Sequence, residues 1–244
     1  MDELKNSLGF HYLQNTKFDR QTIGRKARLN IAPAPPYKHY SDMEKIALPK
    51  DWDMGTGLGK TLQHRRSCRR FGRNALHVKE IAMLLWASQG ISGRAGNFFF
   101  RTAPSAGALY PVETYLSVQN VDTIEAGLFH FQPADFSLER LSTKFSGDKI
   151  AEAALGQSFL EKAGAVLIWS ALLRRNFSKY GHRGMRYVCM DAGHICQNML
   201  LAAEALGLGA CPVAAFYDDE LNALLELDGT EESVIYLAAV GTKE

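Results

Sequence analysis

The feature that most constrains the fold is a stretch of about 20 residues, Met185 to Leu206. Within it Met185, Cys189, Ala192, Cys196, Met199 and Ala203 recur at helical spacing, and Gly207 stands where a helix end favours a left-handed residue. A helix of this length with one apolar side needs a sheet or other helices to cover it. It is therefore expected to be the central helix. The same stretch carries Tyr187, Asp191, His194 and Asn198, three or four apart and so on one helical face. Polar groups on such a helix need partners. A structural hydrogen-bond network and direct catalysis are both open for them.

The remaining pattern is mixed. Val78, Ile81, Leu84 and Leu85 mark a helical face that Gly90 ends. Glu113–Val118, Leu128–Gln132, Ala165–Leu172 and Val234–Val240 read as strands, and Asp148–Leu155 as a helix. Asp218 or Asp219 is placed to cap a helix through Leu225. Strands and helices are interspersed without a βαβ rhythm, which favours an α+β fold. Residues 1–60 differ. Pro33, Pro35, Pro36 and Pro49 exclude a long helix, yet Phe10, Tyr12, Phe18, Tyr37, Tyr40 and Trp52 recur. This is the composition of an extended arm lying on the body or on a second subunit, with the main domain spanning 61–244.

Composition excludes more than it identifies. A formal net charge of +2 over 244 residues names no partner. Cys68, Cys189, Cys196 and Cys211 form no C-x-x-C pair, so a reducing compartment fits best. The first residues lack the basic-then-apolar order of a signal peptide. The best apolar run, Gly164 to Leu173, is about half of what a membrane-spanning helix needs. A cytoplasmic protein that uses no membrane is expected. No metal site is expected either. His182, Cys189, His194 and Cys196 offer no tight ligand pairs, and both cysteines are assigned to the apolar face. Gly55 to Thr61 resembles a phosphate loop, but Met54 stands where that loop requires its first glycine.

Four segments carry candidate chemistry. His64 to Arg73 packs five arginines and Ser67 into a short run. Guanidinium forks and a hydroxyl suit a phosphate. A solvated basic turn is the alternative, and nucleic-acid binding lacks a broad basic surface or reading module. Arg101 to Pro111 brackets small residues between prolines, and Gly207 to Phe216 follows the long helix with small residues again. Both let backbone approach a flat ligand, but composition alone favours ordinary connections for both. Lys179 and Tyr180 precede the long helix and are able to transfer protons near a substrate.

Taken in order, these segments resemble the nitroreductase superfamily, and in particular its SagB-type dehydrogenase branch. Arg65-Arg66-Ser67-Cys68-Arg69-Arg70-Phe71 is similar to the phosphate-binding opening of those flavoproteins. Arg101 to Pro111 looks like their A-P-S-A-G-x-L-Y-P segment. Lys179-Tyr180, Arg186-Tyr187, Asp191 to His194 and Gln197-Asn198 resemble the SagB-type block. That branch includes azoline oxidases of peptide heterocycle biosynthesis.

The resemblance implies a mostly antiparallel sheet flanked by helices in an interlocked homodimer, with FMN at the subunit interface. It implies that Arg65, Arg66, Ser67 and Arg69 hold the phosphate, ribityl chain and pyrimidine edge. Pro104, Ser105, Ala106 and Gly107 are expected to approach from the other subunit. Pro212, Val213, Ala214 and Ala215 are expected to line the opposite ring face, with a backbone amide donor near Ala214 or Ala215. The implied activity is ping-pong hydride transfer through flavin N5, from NAD(P)H to a nitroaromatic or quinone. A thiazoline or oxazoline in a modified peptide is the alternative substrate, with Lys179 and Tyr180 handling the proton. A flavin-binding protein without turnover is a further alternative. Two positions depart from the pattern. Ala214 stands where many nitroreductases have Glu, and only Lys243 remains of a basic C-terminal pair.

Overall fold

The computed structural model describes residues 8–15, 30–40, 42–50, 57–96, 98–143 and 145–244. Phe18, Trp52, the Phe10 side chain and the Gly55-Thr56 part of the loop-like motif lie outside the described residues. Lys60 and Thr61 sit inside helix α2 (Leu58–His64), not in a loop that follows a strand.

The body is a seven-stranded sheet in the order β1-β6-β5-β4-β7-β9-β8. Its strands are β1 (Lys45–Ala47), β4 (Val112–Val118), β5 (Gly127–Gln132), β6 (Ser137–Ser142), β7 (Ala165–Leu172), β8 (Leu208–Val213) and β9 (Glu232–Thr242). Every neighbouring pair is antiparallel. A small hairpin of β2 (Ile91–Ala95) and β3 (Phe98–Arg101) stands apart. This is the expected α+β arrangement.

Both faces of the central strands are covered, which explains why β4, β5 and β7 are nearly continuously buried. On one face, Leu116, Leu167, Trp169 and Ala238 pack against Leu84 and Leu85 of α3 (Val78–Gln89) and Ile195, Met199 and Ala203 of α6 (Gly184–Ala205). On the other, Val166, Ile168 and Leu237 meet Ile150 of α4 (Gly147–Ala153) and Leu221 of α7 (Asp218–Leu224).

Helix ends follow local chemistry. His77 opens α3 with a capping box: its Nδ1 accepts from the Lys79 amide at 3.1 Å, while Glu80 takes the His77 amide at 2.7 Å. Gly90 ends that helix in an extended conformation. It is glycine because a Cβ would lie 2.3 Å from the Trp86 ring. Gly207 does adopt the expected left-handed φ of 75°. Two expectations are corrected. Tyr217, not Asp218 or Asp219, is the N-cap of α7. The two aspartates fill its first turn, where their charge still complements the helix dipole. Cys189 is exposed, not on the apolar face. The start of α6 packs on α5 (Leu173–Tyr180), with Gly184 against the Phe177 ring, and there the buried position is Val188.

Part of the N-terminal stretch lies on the body of its own chain. The Pro35 carbonyl accepts from Arg175 Nε at 2.6 Å, and Lys38 Nζ donates to Glu232 at 2.6 Å and to the Tyr115 hydroxyl at 2.7 Å. Residues 45–47 form edge strand β1 against β6, which no periodicity signals. In α1 (Leu8–Asn15), the Arg186 guanidinium lies 5.6 Å from the centre of the Tyr12 ring.

Candidate active site

The arginine segment runs beside the sheet edge formed by β8. Ser67 bridges Ala210 in parallel, and the Cys68 amide donates to the Ala210 carbonyl at 2.9 Å. Further on, Phe71 bridges Lys243, and the Gly72 amide donates to the Thr242 carbonyl at 2.8 Å. Close packing makes this possible. A Cβ on Gly209 would fall 2.7 Å from the Cys68 sulfur, and one on Gly241 2.8 Å from the Phe71 ring. The segments expected to hold phosphate and to line a ring therefore lie on one edge. Pro212 is tolerated there because β8 is the last strand of the sheet.

Charge at this edge is unbalanced. Arg65 is half-buried, while Arg66, Ser67, Arg69 and Arg70 are exposed. Among the described residues no carboxylate pairs with Arg65, Arg66, Arg69, Arg70 or Arg73. Arg66 donates instead to the carbonyls of Gln63 and Arg65, at 3.0 and 2.8 Å. The Arg69 guanidinium stands 5.9 Å from the centre of the Phe159 ring. Such a cluster, with a hydroxyl beside it, fits an anionic phosphate. Ala214 and Ala215 are exposed just beyond β8. Lys243 also lies here, but its ammonium is engaged with Glu204 at 2.9 Å.

A second cluster forms around the Pro104–Tyr110 loop. Gly107, Ala108 and Tyr110 all have positive φ, at 65°, 54° and 46°. Two non-glycine residues in that region make the loop strained. A Cβ on Gly107 would stand 2.5 Å from the Tyr180 hydroxyl and 2.7 Å from Lys179 Nζ. The glycine thus admits both side chains against the loop backbone. Lys179 is exposed and Tyr180 half-buried at the end of α5. Tyr180 packs edge-on against Tyr187, centroids 4.8 Å apart, and the Tyr187 hydroxyl accepts from Arg183 Nε at 2.8 Å.

The polar stripe of α6 does not act as one network. Asp191 is buried and binds the loop through Ser105 and Ala106. Tyr187 serves Arg183, His194 is exposed, and Asn198 lines an apolar groove with Trp86, Leu201 and Ala205. Ser105 is likewise occupied internally.

A third group had no place in the sequence expectations. Glu113 on β4, His130 on β5, Glu139 on β6 and Arg175 on α5 are buried together. The signal was charge inside otherwise apolar strands, but which charges meet depends on strand register. Among the described residues, no group of three or more His, Cys, Asp and Glu side chains could hold a metal ion. Nor is any described helix long and apolar enough to cross a membrane.

Residues 62–242 match the model of the nitroreductase family. The chain belongs to that family. Among its relatives is MJ1384 of Methanocaldococcus jannaschii, which bears a nitroreductase name. It is 39% identical over 186 residues, covering 76% of this chain and 91% of that protein. The microcin B17-processing protein McbC of Escherichia coli is 29% identical over 161 residues, covering 64% of this chain and 58% of McbC. Among solved structures, a nitroreductase-named protein of Anabaena variabilis superposes with a TM-score of 0.74 at 25% identity. The match covers 96% of this chain and 47% of that one. One from Desulfovibrio desulfuricans, solved in complex with FMN, has a TM-score of 0.54 at 20% identity, covering 76% and 86%. These findings bear out the nitroreductase fold and the resemblance from which it was expected.

Proposed function

We propose that this nitroreductase-family chain is an FMN-dependent oxidoreductase acting as a homodimer. The observation that carries it is the set of uncompensated guanidinium groups beside Ser67, held along β8 next to the small residues 212–215. Arg65, Arg66, Ser67 and Arg69 would hold the phosphate and polar edge, and the cations there favour an anionic reduced cofactor. Pro212 to Ala215 would lie against the ring, with a backbone amide of Ala214 or Ala215 as donor. Bound FMN supplies two-electron redox chemistry, passing electrons from NADH or NADPH to a nitroaromatic or quinone.

A second copy supplies the other wall. The two clusters are tied to α6 at Asp191 and Glu204, thirteen residues apart, which is about 20 Å along the axis. That separation favours Pro104 to Gly107 of one protomer facing the arginine edge of another. A groove of about 540 Å³, lined by Leu58, Trp86, Ala87, Leu201 and Ala202, gives such a partner apolar surface to cover. A water-excluding interface of this kind protects the redox centre.

The convergence of Lys179 and Tyr180 on Gly107 favours a second reading, dehydrogenation of a heterocycle in a modified peptide. There the ammonium and phenol would move the proton while electrons leave the substrate ring. The likeness to McbC supports this version. In either case the cytoplasm is the proposed location.

Purified protein mixed with FMN and freed of excess is expected to be yellow. NADH or NADPH should bleach it without oxygen, and menadione should restore the colour. Protein that takes up no FMN overturns the proposal. Uptake without bleaching or turnover leaves a flavin-binding protein.

A further inference from the structure

Arg175 is 2% exposed in the first turn of α5, and its guanidinium serves three segments at once. It pairs with Glu113, donates through Nε to the Pro35 carbonyl at 2.6 Å, and donates through Nη1 to the Tyr110 carbonyl at 2.9 Å. The other Glu113 oxygen meets His130 Nε2 at 2.9 Å, and His130 Nδ1 meets Glu139 at 2.9 Å. Two carboxylates flank one imidazole, so both ring nitrogens must carry protons to bond them. The result is a buried row of alternating charge: guanidinium, carboxylate, imidazolium, carboxylate. Stability alone is a poor reason for such a row, because apolar residues of the same volume often do as well. What it does achieve is geometry.

The contacts close a ring. Lys179 lies one helical turn after Arg175, and Tyr180 is the next residue. Both reach Gly107, which lies three residues before Tyr110, whose carbonyl returns to Arg175. We propose that Arg175, braced by Glu113, His130 and Glu139, is the positioning residue that holds Lys179 and Tyr180 against the Gly107 loop. It touches neither substrate nor cofactor and acts through those two side chains. This rests on the proposal that Lys179 and Tyr180 move protons, here extended to delivery of the proton that a quinone needs beside its hydride. Lysine at 175 keeps the charge but loses the planar fork that holds three acceptors.

The first test needs no cofactor. In hydrogen exchange on the full chain, Arg175→Lys is expected to speed exchange by about tenfold or more in peptides spanning 104–111 and 173–180 together, with α3 unchanged. Glu139→Gln, at the far end of the row, should speed the same two segments to a smaller degree and guards against a folding failure of the first variant. Exchange altered in one segment only, or in neither, overturns the coupling. The second test uses FMN-loaded protein turning over NADPH and menadione. Arg175→Lys and Tyr180→Phe should each lower kcat by at least about tenfold. The double variant should be within about twofold of the slower single one, because both changes act on one step. Multiplying effects overturn the proposal. Should the protein take up no FMN, the oxidoreductase reading fails, while the exchange result still decides whether Arg175 couples the two segments.

Discussion

The Ser105 hydroxyl donates to the Asp191 carboxylate at 2.6 Å, tying the strained loop of the candidate site to the central helix. The same oxygen accepts the Tyr110 amide at 2.9 Å, and the Ala106 amide reaches the other carboxylate oxygen at 3.3 Å. One acidic side chain therefore anchors the loop just before its positive-φ turn, and Ser105 links that anchor to Tyr110 at the turn's far end. Burial pushes the Asp191 carboxyl above its ordinary range, and the bonds from Ser105 and Ala106 offset only part of that rise. Asp191→Ala would leave two donors without their acceptor. It is expected to lower stability by about 1–3 kcal/mol. The measurement is the urea midpoint at unchanged m-value. A variant as stable as the parent would mean that the loop holds its shape without α6.

At the arginine edge the expectation concerns binding. Converting both Arg65 and Ser67 to Ala removes a guanidinium and a hydroxyl that no described carboxylate occupies. Charge-assisted hydrogen bonds are worth about 1.5–3 kcal/mol each, so FMN affinity should fall by roughly 100-fold or more. Far-UV circular dichroism should be unchanged, because these side chains take no part in the core. Fluorescence titration with FMN decides it. A folded double variant that retains stoichiometric FMN would move the phosphate site elsewhere.

The architecture was legible where one physical rule dominates. The long helix, the Gly207 terminus and the buried strands β5 and β7 follow from periodicity and apolar runs. Edge strands β1 and β8, and β6 beside β1, were not legible. They are short or carry polar residues, and β8 contains Pro212, which a central strand would not accept. The candidate site divides in the same way. The arginine run stands out because its residues are adjacent in the chain. Lys179 and Gly107 are 72 positions apart and meet only through α5 and the loop. The Glu113–His130–Glu139 row depends on the register that sets Tyr115 opposite His130 and His130 opposite Glu139. One sequence does not print that register.

Gly107 tests the meeting of loop and helix directly. Its φ of 65° and the closeness of the Tyr180 hydroxyl and Lys179 ammonium leave no room for a methyl group. Gly107→Ala is expected to cost about 1 kcal/mol for the left-handed backbone. The side-chain ends must also move away. Because Gly107 belongs to the loop proposed to face FMN, affinity should fall modestly while turnover falls further. Tyr180→Phe should leave FMN binding intact, and a loss of turnover of roughly 100-fold fits its proton-transfer role. Comparing both variants in kcat and in FMN titration checks this. If Gly107→Ala matches the parent in kcat, Lys179 and Tyr180 do not work from their positions against this loop.

The buried row also sets an acid limit on stability. Burial alone would raise the Glu113 carboxyl, but Arg175, His130 and Arg101 outweigh it and hold the group down to about 2, from an ordinary 4.5. A carboxyl lowered in the folded state stabilises above its unfolded value and loses that contribution as pH falls through the folded one. The loss should therefore run from about pH 4.5 toward pH 2, and the shift corresponds to something on the order of 3 kcal/mol. His130 works in the opposite sense. Burial would lower it, but bonds to Glu113 and Glu139 raise it overall, so its contribution is complete below about pH 6.5 and fades as pH climbs through its raised value. Urea midpoints across pH 2 to 8 for the parent and Glu113→Gln give the check. The variant should be less stable at pH 6 and should lose less between about pH 4.5 and 2, by a slope equivalent to roughly one proton. Parallel curves for the two proteins would show that Glu113 ionises in the folded chain as it does in the unfolded one, and that the row does not hold its charges.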